Sequence, residues 1–188
     1  MQPLLFMCAR PPTMTDYPAH LVKNRHLFDG TPVTIRPIRP QDAAMEQAFV
    51  RHLSDDSRYY RFMQTLRELQ PRKLQYLTSI DYDRHMALVA TVVRDGGEVE
   101  IGVARYVVEP GDGACEFAIV VDDDWQGSGV AGMLMAELME AARLRGLKTM
   151  EGFVLASNHK MLKFARQLGF VSHRNLGDAD TVQVVRQL

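Results

Sequence analysis

In the run Gln126-Gly127-Ser128-Gly129-Val130-Ala131, two glycines flank a serine just before an apolar helical pattern begins. Positions without side chains let successive backbone N–H groups turn toward one point, and the N-terminus of the following helix adds its partial positive charge there. Such a turn is built to hold an anion, most naturally a pyrophosphate. A mononucleotide P-loop is excluded, because no Lys-Ser or Lys-Thr follows the glycines. The segment from Gly127 to Gly132 does fit G-x-G-x-x-G, with Glu151 placed where a ribose-binding acid could sit. Asp122-Asp123-Asp124-Trp125-Gln126 nevertheless separates these glycines from the preceding strand, and the strands before them read as antiparallel hairpins, so the context of a dinucleotide site is missing. The plain alternative is a flexible helix-initiating loop without a ligand.

Upstream of the turn stands a carboxylate suited to acid–base work. Strand alternation puts Glu116, Ala118 and Val120 on one face, aiming the acid along the row that approaches the turn. Its plain alternative is a salt-bridged or solvent-facing strand carboxylate. His85, beside Asp83, is a second candidate base, although a hydrogen-bonded or surface histidine explains it more simply. The other histidines, His20, His26, His52, His159 and His173, show no metal-ligand spacing, so no metal is expected. Asp122-Asp123-Asp124 would repel phosphates if it faced them and reads as a solvated edge or a rim for a cationic acceptor. Trp125 reads as packing for the turn.

These groups need a scaffold, and its elements are legible from periodicity and breakers. A first strand over 33–38 is stopped by Pro37 and Pro40, Asp42 offers a helix N-cap, and 43–53 steps at helical spacing. A further helix continues through Tyr59-Tyr60-Arg61-Phe62, and a short one covers 74–80. Strands near 86–93, 99–108 and 114–121 are joined by the turn clusters Asp95-Gly96-Gly97 and Pro110-Gly111-Asp112-Gly113. The glycine-rich turn then feeds a helix ending near Gly146, followed by a strand over 147–155. Last come a helix from His159 to Leu168, opened by Asn158 and closed by Gly169, and a strand over 181–186. Residues 1–30 hold four prolines and no sustained period, which predicts a poorly ordered leader ahead of one domain spanning 31–188.

Composition narrows the class. The 188 residues are 46% hydrophobic and 24% charged, which fits one folded domain rather than a disordered or coiled-coil chain. A net charge of −1 supplies no field to concentrate a polyanion, so nucleic acid is not an expected partner. No apolar run approaches the ~20 residues needed to cross a bilayer, and no basic segment precedes the short apolar stretch at residues 4–9 as a signal peptide requires. Only Cys8 and Cys115 are present, which suggests neither a disulfide framework nor a cysteine zinc site and fits the cytoplasm.

The segment Ala114-Cys115-Glu116-Phe117-Ala118-Ile119-Val120-Val121, followed by Asp124 to Ala131, resembles the acetyl-CoA-binding motif of the GNAT N-acetyltransferases, whose core is Gln/Arg-x-x-Gly-x-Gly/Ala. Asn158 with a helix ending Leu168-Gly169-Phe170 resembles that family's second motif, and the order of elements agrees over 33–171. Thr34-Ile35-Arg36-Pro37-Ile38-Arg39-Pro40, Ser57-Arg58-Tyr59, Ile80-Asp81-Tyr82-Asp83-Arg84 and Ala87-Leu88-Val89-Ala90 are similar to the acetyltransferase domain of the bacterial Pat-type protein lysine acetyltransferases. The resemblance implies an α/β (α+β) acyl-CoA N-acyltransferase fold with a mixed central sheet, a splayed strand pair and flanking helices. It implies acetyl-CoA as co-substrate and a protein lysine as acceptor, such as one on an acyl-CoA synthetase, with Glu116 as general base. It assigns Ile119, Val120 and Val121 to the pantetheine arm, Gln126, Gly127, Ser128, Gly129, Val130 and Ala131 to the pyrophosphate, and Asn158 to the arm as well as to its helix cap. The tyrosine acid common in the family has no counterpart, because the corresponding slot holds Ala165. Two other readings remain: an acetyltransferase of small-molecule amines, and a non-catalytic module that responds to acyl-CoA.

Overall fold

A computed structural model describes residues 16–111, 113–174 and 177–188. Among the described residues eight strands form one sheet: β1 (Lys23–His26), β2 (Pro32–Pro37), β3 (His85–Arg94), β4 (Gly97–Val108), β5 (Ala114–Val121), β6 (Thr149–Leu155), β7 (Val171–Arg174) and β8 (Thr181–Gln187). Their spatial order is β1-β2-β3-β4-β5-β6-β8-β7, and every neighbouring pair is antiparallel except β5–β6. The helices are α1 (Ala43–His52), α2 (Asp55–Phe62), α3 (Pro71–Thr78), α4 (Val130–Leu144) and α5 (His159–Gln167). Among the described residues no helix is long and apolar enough to cross a membrane.

Alternation along the central strands feeds two cores, one on each face of the sheet. Leu88, Ala90, Ala104, Tyr106, Phe117 and Val121 face Leu134, Met135 and Leu138 of α4. Ala87, Val89, Val103 and Val120 face Phe49 and Val50 of α1, Phe62 of α2 and Leu77 of α3. Glu116 has the parity of Val120, so it belongs to the α1–α3 face. The β3–β4 connection is the two residues Asp95 and Gly96, both with positive φ, the backbone that matches the twist of a tight hairpin.

The expected mixed sheet with a splayed pair is present. β5 and β6 pair over only Ala114↔Thr149, Cys115↔Met150 and Glu116↔Glu151, and then part. Beyond that fork β5 continues on β4, and β6 on β8.

Three details differ from the sequence reading. The sheet begins inside the segment expected to be a leader: β1 pairs with β2 from Lys23↔Ile35 to His26↔Pro32, around a turn closed by Leu27 N–H to Thr31 O at 2.9 Å. An edge strand of sequence Lys-Asn-Arg-His has no apolar alternation to betray it. The first 15 residues of that leader lie outside the described residues. Asp42 does not cap α1 through its side chain; its buried carboxylate accepts from Arg36 Nη1 at 2.7 Å, Arg36 Nη2 at 2.9 Å and the Arg39 N–H at 2.9 Å. The four-residue strand β7, with every residue exposed, stands where no strand was expected.

Candidate active site

The parting of β5 and β6 opens a cavity of about 920 Å³. At its inner end sits Glu116, 3% exposed, at the last rung before the strands separate. Ile119, Val120 and Val121 line one wall from β5, and Gly152 and Val154 line the opposite wall from β6. Past the fork β5 has a strand partner on one side only, so backbone groups along its open edge face the cavity. Gly152 is required here by packing, since a Cβ would meet the Phe117 ring at 2.7 Å. That ring packs tilted against Phe170, with centroids 5.0 Å apart.

The outer end is the turn into α4. Gly127 and Gly129 adopt φ +81° and +95°, the left-handed backbone that glycine accepts without strain. Gln126, Gly127, Gly129 and Ala131 line the cavity, joined by Gly132. Ser128 and Val130 stand behind the wall: the Ser128 hydroxyl donates to Trp125 O at 2.7 Å and accepts from the Val130 N–H at 3.4 Å, while Val130 is buried in the α4 core. First-turn amides of a helix have no carbonyl one turn earlier to bond, so those of α4 present a donor set and a partial positive charge to this end of the cavity. Asn158 also lines the cavity while its Oδ1 accepts from the Met161 N–H at 3.0 Å, capping α5.

A third wall comes from α2 and α3 and includes Tyr60, Arg61, Phe62, Lys73 and Leu77. Its chemistry is cationic over an aromatic floor: Arg61 and Lys73 lie 4.9 and 4.6 Å from the centroid of the Phe62 ring. Desolvation, reinforced by Arg61 and Arg105, lowers the Lys73 ammonium to about 8. The sequence points only to the stretch 55–73 as one on which acceptor choice depends and singles out none of these side chains, because the cofactor motif carries no information about the helices opposite it. Their one visible signal, Ser57-Arg58-Tyr59, has a structural use: Arg58 Nη1 donates to Arg51 O at 3.1 Å and to Leu53 O, fixing the α1–α2 corner.

The remaining candidates have other roles. His85 is buried, held neutral by desolvation and by Arg105, whose Nη1 lies 3.3 Å from its Nε2, and it stacks on Tyr76. Asp123 lines the cavity rim and accepts from the Ser54 N–H at 2.9 Å, the Ser54 hydroxyl at 2.9 Å and the Ser57 hydroxyl at 2.7 Å, tying α2 to the α4 turn. Asp122 and Asp124 approach His52 Nε2 at 3.5 and 3.6 Å, a convergence that spacing along the chain does not reveal. Trp125 packs under the Arg94 guanidinium at 5.1 Å. Ala165 is buried in the core and carries no proton to give.

Comparison with known proteins agrees with this architecture. The model of the acetyltransferase (GNAT) family matches residues 48–170. An acetyltransferase of Pseudomonas aeruginosa is 38% identical over 162 residues, 86% of this chain and 86% of that protein. Acetyltransferase Pat of Mycolicibacterium smegmatis is 33% identical over 138 residues, 73% of this chain but only 40% of that longer protein. The GNAT domain of S. lividans PAT superposes with a TM-score of 0.85 at 31% identity, covering 92% of this chain and 100% of that domain.

Proposed function

The chain belongs to the acetyltransferase (GNAT) family, and on that premise we propose that it moves an acetyl group from acetyl-CoA to the ε-amino group of protein lysines, with Glu116 as general base. The observation that carries this reading is the position of Glu116 at the fork of β5 and β6, in the same cavity as the anion-binding turn. Pyrophosphate on Gln126, Gly127, Gly129 and Ala131, and pantetheine along Ile119, Val120 and Val121 with Asn158 opposite, run the thioester toward that fork. A lysine of pKa ~10.4 is only ~0.1% neutral near pH 7.4, a deficit of about 4 kcal/mol that a base offsets by taking the ammonium proton before the nitrogen attacks; the second N–H proton passes to solvent as the amide forms. Nitrogen forms its bond to the carbonyl carbon, the carbon–sulfur bond breaks, and CoA leaves as a thiolate that solvent protonates. A nearby backbone N–H of β5 polarises the carbonyl. We place this reaction in the cytoplasm, with an acyl-CoA synthetase among its protein acceptors.

The test is acetyl-lysine formation on a deacetylated soluble protein extract, with CoA release followed in parallel, for wild type and Glu116→Gln. Protein labelling that falls at least 100-fold in the variant, with acetyl-CoA affinity retained, supports the reading, since general base catalysis contributes ~10²–10⁴-fold. CoA release with small amines but no protein labelling gives a small-molecule acetyltransferase instead. Acetyl-CoA binding without turnover, indifferent to Glu116→Gln, gives a binding module.

A further inference from the structure

The hairpin between β1 and β2 carries an aromatic ring that folding does not require. Phe28 is 83% exposed, more than any other large hydrophobic side chain described. Its ring nevertheless rests on Gly129, where a Cβ would meet Cε2 and Cζ at 2.9 Å. The position is built rather than incidental. Phe28 N–H donates to Ser128 O at 3.3 Å, Leu27 beside it is buried, and Arg25 pairs with Glu137 of α4 at 2.6 Å. The ring lines the same cavity as Gly127 and Ala131.

The covalent order of CoA fixes what meets this ring. Thioester, pantetheine, pyrophosphate and adenosine follow one another, so a thioester at Glu116 and a pyrophosphate on the turn send the adenosine out at the rim. There Phe28 presents an open π-face. We infer that Phe28 stacks on the adenosine of bound CoA, so that the β1–β2 hairpin supplies the nucleotide subsite. The inference rests on the acetyl-CoA reading above. Base–aromatic stacking is sequence-tolerant and substantial, which gives an expected loss of about tenfold or more in affinity on truncation.

The experiment is calorimetric titration of the full chain with CoA, 4′-phosphopantetheine and adenosine 3′,5′-bisphosphate, for wild type, Phe28→Ala and Phe28→Leu. Leucine keeps apolar bulk over Gly129 without the ring face, and thermal unfolding checks that both variants fold. The expected result is a loss of about tenfold for CoA and the bisphosphate in both variants, with phosphopantetheine changed by less than about twofold. Unchanged CoA affinity in both variants overturns the inference, and so does an equal loss for phosphopantetheine, which would mean that the ring merely shapes the turn. A wild type that binds neither CoA nor phosphopantetheine instead overturns the acetyl-CoA reading itself.

Discussion

Glu116 and Glu100 sit on neighbouring strands, each 3% exposed, and their surroundings give them different employment. Glu116 opens onto the cavity. Glu100 is enclosed with Glu46, which pairs with the fully buried Arg105 at 3.3 Å. Desolvation first, and then the neighbouring Glu46, push the Glu100 carboxyl well above the ordinary carboxylate range, against the pull of Arg105. The fold therefore binds a proton that the unfolded chain has released above the ordinary carboxylate pKa, so stability falls as pH rises through that window. Glu100→Gln, the neutral analogue, is expected to be more stable than wild type at pH 7 and equal to it below pH ~4, with ~2–4 °C in Tm for each 1 kcal/mol relieved. Thermal melts at the two pH values check this, and a gain of the same size at both would contradict it. Glu116 was readable from alternation with Ala118 and Val120. Glu100 was not, because Val99-Glu100-Ile101 alternates like a solvent-facing strand and only Glu46, distant in sequence, reveals the cover.

Among the elements, α4 carries the end of the cavity proposed to take the pyrophosphate, and its first turn offers a clean test. Gly132 lines the cavity with ordinary helical backbone, and a Cβ there meets nothing within 4 Å. An acid in the first turn of a helix favours the helix itself by ~0.3–1 kcal/mol. The same charge ~5 Å from a phosphate costs ~3 kcal/mol at an effective dielectric of ~20. Gly132→Asp is thus expected to keep or raise Tm while lowering CoA affinity about 100-fold, as read by calorimetry; unchanged CoA affinity in the folded variant would separate the turn from the ligand. Elements with caps and breakers were the legible ones: Asn158 and Gly169 bracket α5, and Asp95-Gly96 turns β3 into β4. β1 and β7 were not, since edge strands need no apolar face, and Asp42 looked like a cap because it stands just before α1 while its partner, Arg36, lies back on β2. Phe28 has no signature at all in sequence, because its meaning comes from a hairpin folding over Gly129.

For the molecule as a whole, a co-substrate bound between two strands stabilises the native state by mass action. Free CoA at 100 times its Kd contributes ~2.7 kcal/mol, which for a chain of this size is a rise of about 5–11 °C in Tm. Wild type should show it by differential scanning fluorimetry, and Gly132→Asp should not at the same concentration. The mixed sheet with its splayed pair followed from the family resemblance of the glycine turn and its preceding strand, whereas the cavity wall of α2 and α3 had to be seen folded. The splay has one more consequence, for self-association. Unpaired strand edges are templates on which other chains add, and proteins blunt them with short, charged strands. Here the two outer edges, β1 and β7, are four residues each and carry Lys23, Arg25 and Arg174. The long open edge lies in the middle of the sheet instead, flanked by β4 and β8 and closed at Glu116. An edge enclosed in this way offers the strand of another molecule less access than an outer edge does, and on the acetyl-CoA reading its occupant is a slender ligand that enters end-on.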